Sequence, residues 1–239
     1  MRKREKTTKK YRWLIPAMVL FVFAAAFLLY TANYYRADSV AAASLKSDNV
    51  KVEQTSYGWF FDGPSDTTAL IFYPGAKVEE TAYAPLLHRL AEAGIDVCLA
   101  KMPFHLALFG ENIATDIIRQ YDYDSWYIGG HSLGGVIAER YASGHDLSGV
   151  ILLAAYPIKE AEEPMMIIYG SRDGILDTEK VNGADQFGTV EKMLLEGGNH
   201  AQFGNYGFQK GDAAAEISAE EQQLKTVDII KAWIQVNTE

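Results

Sequence analysis

The chain has 239 residues, 49% of them hydrophobic and 12% aromatic, which is enough to build one large core. Its one cysteine, Cys98, excludes an internal disulfide framework and a cysteine-based zinc site, and its apolar surroundings predict a buried residue rather than a nucleophile. The net charge of −9 combines +6 in residues 1–12 with −15 in the rest of the chain, and an acidic body argues against nucleic acid as a partner.

Residues 13–30 (WLIPAMVLFVFAAAFLLY) contain no charged side chain. As a helix, this run would be roughly 27 Å long, close to the thickness of the hydrocarbon core of a bilayer. Aromatic residues at both ends resemble interfacial belts, and the basic residues before the run predict that the N-terminus stays in the cytoplasm. We therefore predict a basic cytoplasmic tail over residues 1–12 and a transmembrane signal-anchor over residues 13–35.

This topology places the remainder of the chain on the extracytoplasmic side of the cell membrane. Cleavage after the small residues 41–43 would instead release a secreted body, although these residues lie more than ten positions past the apolar run. Residues 36–49 (RADSVAAASLKSDN) are small and polar, and they predict a linker to a single domain over residues 50–239.

The domain begins with strand signals. Residues 50–61 alternate in polarity and predict one or two strands that end at a turn. Residues 69–73 (ALIFY) are continuously apolar, as in a strand that is buried on both faces of a parallel sheet. Residues 81–93 have helical spacing, and Gly94 after them is a signal for a helix C-terminus.

The same cycle of strand and helix repeats to the C-terminus. We predict further strands at 96–101, 125–129, 148–154, 165–169 and 190–195, and further helices at 112–120, 134–143 and 224–236. Because strand and helix alternate at this spacing, the predicted fold is α/β: a doubly wound, mostly parallel sheet with helices on both faces.

Residues 130–134 (GHSLG) match the G-x-S-x-G nucleophile elbow. In this motif a strand turns sharply into a helix, and the two glycines permit the close approach of strand and helix. The apolar strand before the motif and the helical residues after it supply the required context. The pattern predicts that Ser132 is a nucleophile and that the N–H of Leu133 faces a developing oxyanion.

The acid and the base are expected after Ser132 in chain order. Asp173 directly follows a predicted strand, at the edge of the sheet where ligands bind in open α/β folds, and Asp177 is the alternative four residues on. Of the two histidines that remain, His145 lies at the end of the elbow helix, whereas His200 follows the last strand. We therefore predict a Ser132–His200–Asp173 triad, in which the acid orients the imidazole of the base.

A second oxyanion donor is expected in residues 74–77 (PGAK), which follow the 69–73 strand. Gly75 permits a tight turn there, and the N–H of Ala76 is the favoured donor. Lys77 is interpreted as a solvated surface residue.

Taken together, residues 69–236 resemble the α/β-hydrolase superfamily, and are especially similar to its compact dienelactone-hydrolase-like and carboxylesterase-like proteins. The resemblance rests on the stretches 72–78, 130–135, 169–174 and 197–204. It implies an α/β-hydrolase fold, here preceded by one N-terminal transmembrane helix. The chain departs from larger lipases because Pro74-Gly75 replaces their His-Gly, and because the 41 positions from Ser132 to Asp173 leave no room for a large lid.

Two apolar loop segments, residues 103–109 (PFHLALF) and 203–208 (FGNYGF), are candidate covers for the site. On this basis Phe104 and Phe203, together with Gly75, are the predicted substrate contacts. Ordinary packing explains both segments equally well.

The sequence thus predicts a membrane-anchored serine hydrolase that cleaves carboxylic esters, or related acyl bonds, through an acyl-enzyme. The expected substrate is a small-molecule or lipid-like ester, and no cofactor, metal or nucleic acid is expected. Two alternatives stay open: a catalytically inactive binding module of the same fold, and an acyltransferase or lactone hydrolase that uses the same triad.

Overall fold

The computed structural model describes residues 13–46, 49–64 and 67–238, which divide into two units between Tyr34 and Tyr35. The first unit contains helix α1, Leu14–Ala32. This helix has 19 residues and a mean hydropathy of 2.3, and it is long and apolar enough to cross a membrane. The basic tail predicted over residues 1–12 lies outside the described residues.

The second unit is built on one eight-stranded sheet with the order β1-β2-β4-β3-β5-β6-β7-β8. The strands β1 and β2 are antiparallel to their neighbours, and the other six strands are parallel. The prediction of a mostly parallel sheet is therefore confirmed. The strands are β1 Lys51–Gln54, β2 Gly58–Asp62, β3 Thr68–Tyr73, β4 Asp96–Ala100, β5 Ser125–His131, β6 Gly149–Leu153, β7 Met165–Gly170 and β8 Val190–Leu195.

Helices cover both faces of this sheet and create two separate core clusters. The run at β3 is continuously apolar because its alternate residues enter different clusters: Leu70 and Phe72 pack on the side of α3 and α7, and Ile71 and Tyr73 on the side of α4 and α5. The helices are α2 Ser39–Ser44, α3 Ala84–Glu92, α4 Ile113–Ile118, α5 Leu133–Ala142, α6 Thr178–Asn182 and α7 Ala219–Thr238, with 3₁₀ turns at Glu80–Tyr83, Pro103–His105, Ala107–Phe109, Ala184–Phe187 and Ala201–Phe203.

The segment predicted as a linker over residues 36–49 differs from that prediction, because its described part is folded onto the second unit. Helix α2 lies within it, and the Asp38 carboxylate caps the helix by accepting from the N–H of Ala41 at 2.9 Å. Ala41 is fully buried. Alanine has the highest helix propensity and aspartate is a preferred N-cap, so these small residues form a helix instead of a flexible connection.

Cys98 lies in β4 and is fully buried. The hydroxyl of Tyr57 donates to its Sγ at 3.4 Å. Burial raises the pKa of the Cys98 thiol to about 12. The thiol therefore stays protonated at neutral pH, which makes it inert as a nucleophile.

Candidate active site

Ser132 sits at the sharp turn between β5 and α5, with φ +54° and ψ −125°. Such a positive φ is strained for a residue with a side chain. The flanking glycines make the turn possible, because a Cβ at Gly130 or Gly134 would lie only 2.5 Å or 2.2 Å from the Tyr73 carbonyl oxygen of β3. The backbone thus lifts the serine out of the sheet at the carboxyl end of its strand.

His200 and Asp173 form a buried pair beside this turn. Nδ1 of His200 lies 2.9 Å from Oδ2 of Asp173, and their side chains are 1% and 0% exposed. The other carboxylate oxygen of Asp173 accepts from the N–H groups of Ile175 at 2.9 Å and Leu176 at 2.8 Å. These bonds fix the carboxylate, so it receives the Nδ1–H of the imidazole and sets the orientation of the ring.

The other ring nitrogen of His200, Nε2, is not used by Asp173. Nε2 is buried and has no hydrogen-bond partner among the described residues. Because Nδ1 carries the proton that bonds Asp173, Nε2 of the neutral ring holds a lone pair. Ser132 and His200 both line one cavity of about 240 Å³. An imidazole with a lone pair on Nε2 and a serine in a strained backbone conformation therefore line the same cavity.

The two competing residues of the sequence analysis do not join this pair. Asp177 caps α6 by accepting from the N–H of Lys180 at 3.4 Å, and its carboxylate lies 3.7 Å from Nζ of the same lysine. His145 lies beyond the C-terminal end of α5, where it stacks on Tyr141 and Nδ1–H donates to the Tyr141 carbonyl at 2.7 Å. Asp173 and His200 are thus the carboxylate and the imidazole that the fold brings together.

In the loop after β3, one of three consecutive backbone N–H groups has no acceptor among the described residues. The N–H of Gly75 donates to the Tyr83 hydroxyl at 3.0 Å, and the N–H of Lys77 donates to the His105 carbonyl at 2.7 Å. Within the described part of the chain, the N–H of Ala76 between them has no acceptor. Leu133 is the first residue of α5, where an amide has no acceptor within its helix. The amides of Ala76 and Leu133 are therefore available to an oxyanion.

None of the three predicted substrate contacts lines the cavity. Gly75 is buried, and a Cβ there would lie 2.8 Å from Nδ1 of His131. Phe203 is fully buried with its ring 5.7 Å from that of His131, because the 3₁₀ turn after His200 carries it into the core. Phe104 is 46% exposed and packs against Phe109. The cavity is lined, besides Ser132, His200 and Asp177, by Leu133, Val136, Ala154, Ala155, Tyr156, Ile175 and Leu176.

A hydrogen-bond relay that the sequence analysis missed connects three loops of the site. The carbonyl of His200 can only accept, so Nε2 of His131 donates to it at 3.0 Å, and Nδ1 of His131 accepts from the Tyr83 hydroxyl at 2.8 Å. The Tyr83 hydroxyl in turn accepts from the N–H of Gly75. Burial, with His200 beside it, lowers the pKa of His131 well below its ordinary value, so the ring is neutral.

Asp212 is a second missed residue, and it holds the acid and base loops together. One carboxylate oxygen accepts from the N–H of Gly174 at 3.0 Å, and the other accepts from the N–H of Ala201 at 2.8 Å. These two amides belong to the residues that directly follow Asp173 and His200. Asp212 could not be found from the sequence, because it belongs to no motif and lies in a loop with no predicted helix or strand.

Glu139 of α5 supports the wall of the cavity from behind. Its carboxylate is fully buried and accepts from the N–H groups of Ile158 at 3.2 Å and Lys159 at 3.1 Å. Burial raises the pKa of this carboxyl group. These bonds hold the loop after β6, whose residues Ala154, Ala155 and Tyr156 line the cavity.

Comparisons with known proteins agree with this architecture. A family model described as the alpha/beta hydrolase family matches residues 69–224. A search of curated proteins found no match.

Several solved structures share the fold. Esterase 2 of Thermogutta terrifontis, phosphoramylated by tabun, has a TM-score of 0.57 at 14% identity, covering 78% of this chain and 95% of that chain. Its propionate-bound form has a TM-score of 0.56 at 14% identity, with 78% and 94% covered. TT1662 from Thermus thermophilus has a TM-score of 0.58 at 14% identity, with 77% and 98% covered. At this identity the likeness concerns the fold.

Proposed function

The chain belongs to the α/β-hydrolase family, and from this premise we propose that it is a serine hydrolase that cleaves carboxylic esters through Ser132, His200 and Asp173. The observation that carries the proposal is the buried Asp173–His200 hydrogen bond: it leaves Nε2 of His200 without a partner among the described residues, and His200 lines the same cavity as Ser132. This arrangement provides an activated nucleophile, a base and a group that orients the base.

In the proposed reaction, Oγ of Ser132 attacks the ester carbonyl carbon while its proton passes to Nε2 of His200. The negative charge that develops on the carbonyl oxygen is stabilised by the N–H groups of Leu133 and Ala76. His200 then returns the proton to the leaving alkoxide, and an acyl-enzyme remains. Water, deprotonated by the same imidazole, releases the acid and restores the serine. Asp173 stabilises the imidazolium in both halves of the reaction.

The size and the lining of the cavity fit a small acyl or alkyl group. Its volume of about 240 Å³ is below the common range for sites of drug-sized ligands, and most of its lining is apolar. One of the fold relatives, Thermogutta terrifontis esterase 2, was solved with propionate and with butyrate bound. By analogy, we propose that the acyl or alkyl group inside the cavity of this chain is short.

We further propose that helix α1 is an uncleaved anchor that spans the cell membrane. The length and hydropathy of α1 support this role, and the basic residues before it favour a cytoplasmic N-terminus. In this arrangement residues 1–12 are the cytoplasmic tail, residues 13–35 contain the anchor, and the hydrolase unit acts on the extracytoplasmic side. Recovery of the full-length chain from membranes after alkaline extraction supports the anchor, whereas a shortened chain in the medium means cleavage.

Hydrolysis of a series of p-nitrophenyl esters tests the proposed reaction. We expect the highest kcat/KM for short acyl chains, and we expect S132A to lower kcat by roughly 10⁴ to 10⁶, as for other triad nucleophiles. S143A is the matched control, because Ser143 ends the same helix and its hydroxyl donates to the Arg140 carbonyl, outside the cavity. A folded wild-type protein that hydrolyses no ester, thioester or lactone would favour the inactive binding module.

A further inference from the structure

Strand β8 forms an open edge of the sheet. It is last in the sheet order and, among the described residues, it pairs only with β7. The N–H of Ser171 donates to the Leu195 carbonyl at 3.0 Å, so the backbone of Leu195 faces β7. Because backbone groups alternate in direction along a strand, those of Val190, Lys192 and Leu194 point away from β7. Within the described part of the chain these outward N–H and C=O groups have no partner, which leaves them free for another strand.

The two charged side chains of β8 are bound within their own chain. Oε1 of Glu191 accepts from the indole N–H of Trp233 at 3.0 Å. Nζ of Lys192 lies 2.8 Å from the Asp185 carboxylate and donates to the Asn182 carbonyl at 3.1 Å. Charged side chains commonly protect the edge of a sheet from pairing. Here both charges are drawn onto the faces of the sheet, so they do not block the approach of a second strand.

The two edge strands of the sheet differ in the side chains that they expose. Strand β1, at the other edge, has four residues, and its Lys51 and Glu53 form an exposed ion pair at 2.8 Å. Strand β8 has six residues, and its Met193 and Leu194 are 40% and 46% exposed. Short, charged edges resist pairing, whereas longer apolar edges favour it. Of the two edges, β8 is therefore the one suited to a partner strand.

An apolar cavity of about 400 Å³ adjoins this edge on the side of α7. Its apolar lining includes Met193 of β8 and Ile229, Trp233 and Val236 of α7. Val236 is 75% exposed. A partner strand beside β8 would bring its own side chains over this surface and remove it from water.

The charges along the edge fit a second copy of the same strand. When two identical antiparallel strands meet at a two-fold axis, each residue pair across the axis occurs twice. An axis at Leu194 places Lys192 of each copy opposite Glu196 of the other. An axis at Lys192 would instead place two lysines opposite each other, and an axis at Met193 would place Lys192 opposite Leu194. Opposite charges stabilise a cross-strand pair and like charges destabilise it, so the axis at Leu194 is favoured.

Both members of this charge pair are able to form it. Glu196 directly follows β8, is exposed, and has no hydrogen bond or ion pair within the described residues. The ammonium group of Lys192 has three N–H donors, of which the Asp185 carboxylate and the Asn182 carbonyl account for two. The third donor is available to a carboxylate that approaches from the open edge.

We propose that β8 pairs in antiparallel fashion with β8 of a second copy, about a two-fold axis at Leu194, so that two sheets become one continuous sheet. The outward N–H and C=O groups of Lys192 and Leu194 then bond the other strand, and the Lys192–Glu196 pair forms twice. This self-complementary charge pattern selects a second copy over an unrelated strand, because one pair of residues satisfies both halves of the interface. The inference does not depend on the proposed reaction.

Disulfide cross-linking in the full chain tests this register. Residues that face each other in a hydrogen-bonded antiparallel pair have Cα atoms about 5.5 Å apart, a distance that a disulfide can span. L194C should therefore give a linked dimer on oxidation with copper phenanthroline. M193C is the matched control: its two copies would lie diagonally, about 7–8 Å apart, and should link roughly tenfold more slowly. Buried Cys98, whose thiol pKa is raised, should not react.

Charge reversal in the L194C chain tests what selects the partner. E196K places two lysines opposite each other and should slow the linkage roughly fivefold, since like charges across a strand pair are destabilising. Glu196 has no side-chain contact to lose within the described residues, so this variant should keep its fold. K192E/E196K restores opposite charges and should recover most of the rate. E53K, on the edge strand β1, is the matched control and should link as fast as L194C alone.

Four results would overturn the pairing. They are equal rates at positions 193 and 194, faster linkage at 193, linkage in E196K as fast as in its parent, and no recovery in K192E/E196K. A chain that hydrolyses esters but gives no linked dimer at position 194 would also overturn it, while leaving the proposed function intact.

Discussion

His131 shows how a residue inside a short motif can support the whole site. The motif tolerates any residue at this position, yet the imidazole here joins the base loop, through the His200 carbonyl, to the oxyanion loop, through Tyr83. Both bonds require one tautomer of a neutral ring. Protonation would place a second proton on Nδ1, which would remove the acceptor that Tyr83 uses.

The neutral state of His131 makes stability depend on pH. Its pKa is lowered in the folded state, so between that value and about 6.5 the unfolded chain binds more protons than the folded one. The free energy of unfolding should therefore decrease as the pH falls below about 6.5, by up to about 1.4 kcal/mol per pH unit from this group. Urea unfolding at several pH values measures the slope of the free energy of unfolding against pH. H131N should reduce the slope, whereas H145N, at the exposed end of α5, should keep it; equal slopes in H131N and wild type would refute this role.

The choice between two neighbouring aspartates is a second prediction at this scale. Asp173 bonds His200 directly, whereas Asp177 caps α6 and pairs with Lys180. D173N should lower kcat about 10⁴-fold, because an amide favours the wrong imidazole tautomer, and D177N should change it only a few-fold. Steady-state rates of ester hydrolysis by D173N and D177N test which aspartate is the acid. A larger loss in D177N than in D173N would exclude Asp173 as the acid.

At the scale of elements, the sequence predicted the strands and most of the longer helices, but it missed two short helices and the role of Asp212. Strands β3 to β7 could be located because buried parallel strands are continuous apolar runs, and α3, α4, α5 and α7 could be located because of their periodicity. Helices α2 (SVAAAS) and α6 (TEKVN) were missed because each has a single large apolar side chain and so shows no apolar period, whereas α4 (IATDII) has three isoleucines. Asp212 could not be predicted for another reason: its role depends on two amides that are 38 and 11 residues away in the chain.

The elbow gives a test of packing between elements. A Cβ at Gly134 would lie 2.2 Å from the Tyr73 carbonyl oxygen of β3, a backbone atom that cannot move aside. G134A should therefore lower the free energy of unfolding by about 1–3 kcal/mol and reduce activity by displacing the serine. G144A, just past the C-terminal end of the same helix, adds a Cβ with no atom within 4 Å and should change stability by less than about 0.5 kcal/mol. Similar unfolding midpoints for the two variants would contradict the close approach.

At the scale of the whole molecule, the chain joins an apolar helix to a hydrolase unit with an acidic excess. Composition, charge and one apolar run were sufficient to separate these parts, and the alternation of strand and helix was sufficient to predict the mostly parallel sheet. The attachment of residues 35–44 was not predictable, because small polar residues are equally typical of a linker. The substrate contacts were mispositioned because nothing in their sequence tells a buried Phe203 from one that lines a cavity.

The central claim is that Ser132 is an activated nucleophile, and organophosphate labelling tests it most directly. Paraoxon is a suitable probe, because an organophosphate reacts with a serine hydroxyl that a neighbouring base activates. Treatment of the full chain with paraoxon should add one diethylphosphoryl group, which peptide mass spectrometry assigns to Ser132, and both S132A and H200A should stay unlabelled. A folded protein that gains no adduct, or gains it on another residue, would contradict the account.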